Sequence, residues 1–247
     1  MTFDAHPRSS LIVALDFDSL PTALKFARQI ADLVGMFKIG MQLFTSAGPE
    51  AVRQVAQLGT GIFLDLKYHD IPNTVAGAVL AAASLPGVQL MNVHALGGTA
   101  MLQAAVQAIS AGVPMGADRP RLLAVTVLTS MDNKSLKEVG IGGPPQSRVL
   151  HLARLAKKAG TDGVVASVQE AKAIRKACGR EFLIVTPGVR PKEKDGSGRK
   201  DDQARTATPR EAIKAGADFL VVGRPILAAV DPRGAAAEIV EEIASAK

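Results

Sequence analysis

Asp65, Lys67 and Asp70 lie within twelve residues, FLDLKYHDIPNT, from Phe63 to Thr74. The first half of that stretch reads as a buried strand, yet charges stand where such a strand is normally apolar. Strand side chains alternate between faces, so Phe63, Asp65 and Lys67 share one face and Ile62, Leu64 and Leu66 share the other. Same-face neighbours two residues apart are separated by roughly 7 Å, a gap that a third charge can bridge. By the same parity Lys38 in MFKIG points opposite to Phe37 and Ile39, and Asp16 in LIVALD points with Ile12 and Ala14. Two lysines and two or three aspartates in one place form a charge network. A buried ion pair that only fixes strand register is the duller reading. It is a weak one, because such pairs seldom stabilise a fold more than apolar packing does. The network is expected to serve chemistry.

A second constellation lies near the C-terminus, where GADFLVVGRPI runs from an apolar stretch into Gly223, Arg224 and Pro225. Glycine lets the backbone approach a ligand, N–H groups at a helix start favour an anion, and a guanidinium can clamp a phosphate. Proline suits the first helical turn. TPGVR, ending at Arg190, supplies a second such turn after the preceding apolar run. The two together point to a phosphorylated ligand.

These groups need a scaffold that brings distant segments to one place. Eight short apolar runs recur: 11–16, 36–40, 62–67, 90–95, 122–129, 163–167, 182–188 and 219–223. Ala-rich segments with helical spacing lie between them, such as PTALKFARQIADLV and QSRVLHLARLAKKA. Strands alternating with helices over this length predict an α/β protein, a single-domain (β/α)8 TIM barrel spanning residues 1–247. Polar residues stand in or just after all eight runs: Asp16, Lys38, Lys67, His94, Thr129, Ser167, Arg190 and Arg224. In a barrel these ends converge on one mouth. An open doubly wound sheet is the alternative. It lacks support because LDFDSLPTA, rather than G-x-G-x-x-G, follows the first run. Two connections exceed what a barrel needs, residues 130–147 and 190–206. Both follow strand C-termini, and the second is expected to be a mobile loop that closes over phosphate.

With 247 residues, 47% hydrophobic and 21% charged, the chain suits one large soluble domain, or at most two small ones. Cys178 is the only cysteine, so no internal disulfide can form and a reducing, cytoplasmic setting is expected. MTFDAHPRSS has no basic segment followed by an apolar one, and no apolar run is long enough to span a bilayer. The net charge of +6 comes from scattered Lys and Arg, with no Trp and with Tyr68 as the only tyrosine. That pattern fits a small anionic ligand better than a nucleic acid, and no membrane partner is expected.

LDFD (15–18), FKIG (37–40), DLKYHDIPNT (65–74), NVHALGG (92–98), TVLTSM (126–131), TPGVR (186–190), DDQART (201–206) and VVGRPI (221–226) run in order along the chain. Together they resemble the bacterial orotidine 5′-phosphate decarboxylase family. DLKYHDIPNT is specific to it, whereas VVGRPI is common to many phosphate-binding barrels. The resemblance implies cofactor-free, metal-free decarboxylation of orotidine 5′-phosphate to UMP and CO2, the last step of de novo pyrimidine biosynthesis. It also implies a homodimer with active sites at the subunit interface. Carried onto this sequence, Lys38, Asp65, Lys67 and Asp70 form the alternating charge network, and Asp70, Ile71 and Thr74 reach the partner subunit's site. Asp16 and Lys38 contact the ribose hydroxyls and Thr129 the pyrimidine edge. Arg190, Gln203, Gly223 and Arg224 surround the phosphate.

Loss of CO2 from C6 leaves a carbanion in the ring plane, beyond reach of the π system. Without a cofactor as electron sink, fixed charges must stabilise it. An ammonium at Lys67, flanked by carboxylates, can do so and then supply the proton. Asp65, close to the departing carboxylate, would also disfavour the bound substrate. His69 and His94 are then expected to be structural, and Tyr68 to pack away from the mouth. The segment PKEKDGSGRK is longer and more charged than the family pattern, which loosens the placement of Gln203. A Mg-dependent sugar-phosphate lyase or synthase of the same barrel group shares the Asp-x-Lys-x-x-Asp pattern and is the alternative function. A basic RNA-binding barrel is a further reading, without a footprint in the sequence.

Overall fold

The eight apolar runs form strands β1 Leu11–Ala14, β2 Met36–Gly40, β3 Gly61–Tyr68, β4 Val88–His94, β5 Arg121–Val125, β6 Gly163–Val165, β7 Leu183–Pro187 and β8 Phe219–Val222. The structure, a computed structural model, describes residues 6–113, 118–191 and 207–246. The strands are parallel, each bonded to the next, and β1 pairs with β8 to close the barrel. Helices follow the strands in turn, among them Leu20–Ile30, Pro72–Ala83, Gly98–Gly112, Pro145–Ala159, Val168–Cys178 and Pro232–Ala244. Their starts are chemically marked. The Ser167 hydroxyl accepts from Gln169 N–H, and Thr208 and Glu211 form a reciprocal capping box before Pro209–Lys214.

Strand parity divides the core in two. Leu11, Val13, Phe37, Ile39, Ile62, Leu64, Met91 and Val93 are buried against the helices. Ile12, Ala14, Met36, Phe63, Leu90, Leu123, Val185 and Phe219 fill the barrel interior as a separate cluster. Each such large side chain contributes about 1.5–3 kcal/mol on burial, so a one-residue slip of any strand would be heavily penalised. This apolar plug holds the charged layer above it at the mouth.

Two segments differ from expectation. The run 122–129 leaves the wall after Val125, because its partner β6 has only three residues; Thr126 N–H and hydroxyl then both bond the Val165 carbonyl. The connection 130–147 contains the helix Asn133–Glu138, capped by the Asp132 carboxylate accepting from Ser135 N–H at 2.8 Å. Only Leu136 of that helix is buried, so no apolar stripe announced it. Residues 192–206 of the expected phosphate-closing loop lie outside the described residues, but its flanks are tied: Arg190 N–H donates to the Ala207 carbonyl at 2.9 Å. At the opposite end of the barrel, Arg175 bonds the carbonyls of Gly179, Arg180, Phe182 and Gly216 and the Asp218 carboxylate. These bonds tie β7 to β8 at the end remote from the polar strand termini.

Candidate active site

Register aligns the charged side chains: Ala14 lies beside Lys38 across β1–β2, and Gly40 beside Asp65 across β2–β3. Lys38 Nζ is 3.0 Å from Asp16 Oδ1 and 3.4 Å from Asp65 Oδ2. Lys67 Nζ donates to Asp65 Oδ1 at 2.6 Å. The result is an unbroken alternation, Asp16–Lys38–Asp65–Lys67, from β1 to β3. Glycine at position 40 makes room for it, since a Cβ there would stand 2.9 Å from Lys38 Nζ. Lys38 and Asp65 are only 9% and 8% exposed. Burial alone would push the Asp65 carboxyl up. The charges of Lys38 and Lys67 and hydrogen bonds from Lys67 and Asn92 outweigh it, holding Asp65 below the usual carboxylate range.

The backbone beneath Lys67 is not a regular strand. Its φ is +52°, the one positive value at a non-glycine among the described residues. Such a conformation costs about 1–3 kcal/mol and persists only where the surroundings enforce it. Leu64 pairs with Met91 and Tyr68 with Val93, so β3 carries two extra residues against β4 at this point. The displaced Lys67 N–H donates to Asn92 Oδ1 at 2.8 Å, and Asn92 Nδ2 donates to Asp65 Oδ1 at 2.6 Å. Asn92 was not among the expected site residues. Its signal was available: parity on β4 sets it inward with Leu90, a polar group inside an apolar barrel.

A cavity of about 410 Å3 opens above the network. Asp16, Lys38, Asp65 and Lys67 line one side; Thr129 and Ser130 stand on the β5 side; Gly188, Arg190, Gly223 and Arg224 line the far end. Phe63, Val125, Val127, Val165 and Val221 give it an apolar floor suited to a flat ring. Gly188 has φ +78°, which lets the chain turn at the rim between Pro187 and Arg190. Of the expected substrate-binding positions, Asp16, Lys38, Asp65, Thr129, Arg190, Gly223 and Arg224 therefore meet at one cavity. Gln203 lies outside the described residues.

Asp70, Ile71 and Thr74 do not line this cavity. All three are exposed at the mouth-side start of the helix Pro72–Ala83, and Asp70 Oδ1 accepts from Ile71 N–H at 2.6 Å. The rings of His69 and His94 lie 5.3 Å apart. Burial, reinforced by the neighbouring His69 and Lys67, pushes the His94 imidazole down. Tyr68 packs against the helix-facing core, as parity predicts, and burial pushes its phenol up. Among the described residues, no group of three or more His, Cys, Asp and Glu is placed to hold a metal ion, and no helix is long and apolar enough to cross a membrane.

Comparison with known proteins matches the chain to a family. The model of the orotidine 5′-phosphate decarboxylase / HUMPS family matches residues 9–239. The protein named orotidine 5′-phosphate decarboxylase in Trichlorobacter lovleyi is 55% identical over 243 residues, 98% of this chain and 98% of its own. Its namesake in Syntrophotalea carbinolica is 53% identical over 240 residues, 97% of this chain and 96% of its own. The crystal structure of orotidine 5′-phosphate decarboxylase from Lactobacillus acidophilus superposes with a TM-score of 0.80 at 40% identity, covering 94% of this chain and 98% of that one.

Proposed function

The chain belongs to the orotidine 5′-phosphate decarboxylase / HUMPS family, and from that premise we propose how its barrel mouth performs the reaction. It decarboxylates orotidine 5′-phosphate to UMP and CO2. The decarboxylase name of relatives sharing more than half their residues with it favours this over metal-dependent sugar-phosphate chemistry. The observation that carries the site assignment is the alternating chain Asp16–Lys38–Asp65–Lys67 facing a cavity whose far end is lined by Arg190 and Arg224.

In the bound substrate the phosphate meets Arg190, Arg224 and the backbone at Gly223. The ribose hydroxyls meet Asp16 and Lys38, and the pyrimidine edge meets Thr129. C6 and its carboxylate then face Asp65 and Lys67. Breaking the C6–carboxyl bond releases CO2 and leaves the electron pair on C6. The Lys67 ammonium stabilises that pair and transfers a proton to C6, giving UMP and a lysine amine that solvent reprotonates. Phosphate contacts far from C6 supply binding energy that orders the reacting end. No cofactor or metal enters the scheme.

The partner subunit of a homodimer completes the network, contributing its own Asp70, Ile71 and Thr74. The support is that Met41, Ile71 and Leu96 follow the ends of the adjacent strands β2, β3 and β4 and are 56%, 67% and 47% exposed. An apolar rim of that kind calls for a covering surface. With Cys178 as its one cysteine, a reducing, cytoplasmic location is proposed.

Incubating the purified protein with orotidine 5′-phosphate and resolving nucleotides by chromatography tests the activity; absence of UMP would refute it. Arg224→Ala is expected to raise KM about 10- to 100-fold, the size of one charge-assisted hydrogen bond to phosphate. Orotidine, which lacks the phosphate, should be turned over almost as well by the variant as by the parent enzyme. Equal losses on both substrates would argue against a phosphate clamp.

A further inference from the structure

We propose that Asn92 is a positioning residue for this reaction, fixing the Lys67 ammonium against C6 through the Asp65 carboxylate and the Lys67 backbone. The proposal rests on the reading of Lys67 as proton donor. Asn92 is 0% exposed and is not part of the cavity lining, so it acts through its neighbours. Its two bonds leave the amide one orientation: Oδ1 takes the Lys67 N–H at 2.8 Å, and Nδ2 serves Asp65 Oδ1 at 2.6 Å. The first bond receives the N–H that leaves the β3–β4 ladder where Lys67 turns to positive φ. The second fixes the carboxylate plane, so that Oδ1 faces Lys67 Nζ at 2.6 Å while Oδ2 faces Lys38 Nζ at 3.4 Å.

The residue type matters as much as the position. Leucine, which stands at position 90 on the same face, would leave the Lys67 N–H and a carboxylate lone pair unsatisfied in the interior. An acid or a base would alter the alternation of charge. Asparagine is a neutral side chain that donates and accepts at once. Asp65 is faced by Lys38 from β2, Lys67 from β3 and His94 from β4, with Asp16 behind Lys38. Asn92 supplies the uncharged hydrogen bond in that set.

The test compares Asn92→Ala and Asn92→Asp with the parent enzyme in kcat, UMP affinity and pH profile. In Asn92→Ala, kcat should fall about 10- to 100-fold while UMP affinity, carried by the phosphate end, stays within about threefold. Losing a hydrogen bond to the ionised carboxylate raises the Asp65 pKa, so the acid limb of kcat/KM should move to higher pH. Asn92→Asp keeps the acceptor for the Lys67 N–H and so tests the donor role even if the alanine variant folds poorly. Its carboxyl lies against Asp65 and the pair shares a proton; below the raised pKa the protonated oxygen donates in place of Nδ2, and above it that bond is lost. Its kcat should therefore decline with rising pH where the parent enzyme's does not.

A kcat within threefold of the parent and an unmoved acid limb in Asn92→Ala would overturn the proposal, as would parallel loss of kcat and UMP affinity. An Asn92→Asp profile parallel to the parent enzyme's would overturn it too. Lys67→Ala, run alongside, separates the two levels. If it keeps near-normal turnover, the proton-donor reading fails and this proposal with it. If it is inactive while the Asn92 variants are unimpaired, only the role of Asn92 fails.

Discussion

Lys67→Ala is expected to lower kcat on orotidine 5′-phosphate by at least about a thousandfold, equivalent to about 4 kcal/mol of transition-state stabilisation. The substitution removes two contributions at once. One is the fixed positive charge beside C6, and loss of a single preorganised group of that kind typically costs 10²- to 10³-fold. The other is the proton that completes UMP. Asp65 keeps Lys38 at 3.4 Å and Asn92 at 2.6 Å, so the buried carboxylate is not stranded and the barrel should fold. UMP affinity, governed by the phosphate end, and the subunit association should survive. Absorbance decay of orotidine 5′-phosphate together with calorimetric titration of UMP checks both halves. Near-normal turnover would remove Lys67 from the mechanism.

Asp70→Ala is expected to be nearly as inactive, for a different reason. Asp70 is exposed and does not line the cavity of its own chain, so the role proposed for it in the charge network is one played in the partner's site. Complementation follows from that geometry. Mixing Asp70→Ala with Lys67→Ala and allowing subunits to exchange produces heterodimers in which one site carries both substitutions and the other neither. With random pairing, about one quarter of the parent enzyme's activity should return. The mixture is assayed before and after exchange at equal total protein. If activity stays at the sum of the two variants, Asp70 does not act across the interface.

Much of this site was legible because strand alternation is a strong rule. Parity alone turned Asp65 and Lys38 inward, and both are found in the interior layer above Phe63 and Met36. At Lys67 parity gave the right face for an incomplete reason. The backbone has left the regular strand at φ +52°, and nothing in a lysine announces a left-handed conformation as a glycine would. Asn92 shows the converse. Its inward placement could be inferred from Leu90, but the bonds to Asp65 and Lys67 depend on a register shift between β3 and β4 that no local pattern encodes. The helix Asn133–Glu138 leaves no helical signature in the sequence, because a single buried leucine makes no period. Asp70 stands three residues from Lys67 in the chain, yet it lies outside the cavity that Lys67 lines, and the partner it is proposed to serve is another copy.

If protein charges alone, with Lys67 as ammonium, drive loss of CO2 from C6, removing divalent metal ions should change nothing. The rate of orotidine 5′-phosphate consumption by the purified protein, measured with and without excess EDTA, tests it most directly. UMP should form at the same rate in both; activity that vanishes with EDTA and returns only with added Mg2+ would contradict a metal-free mechanism.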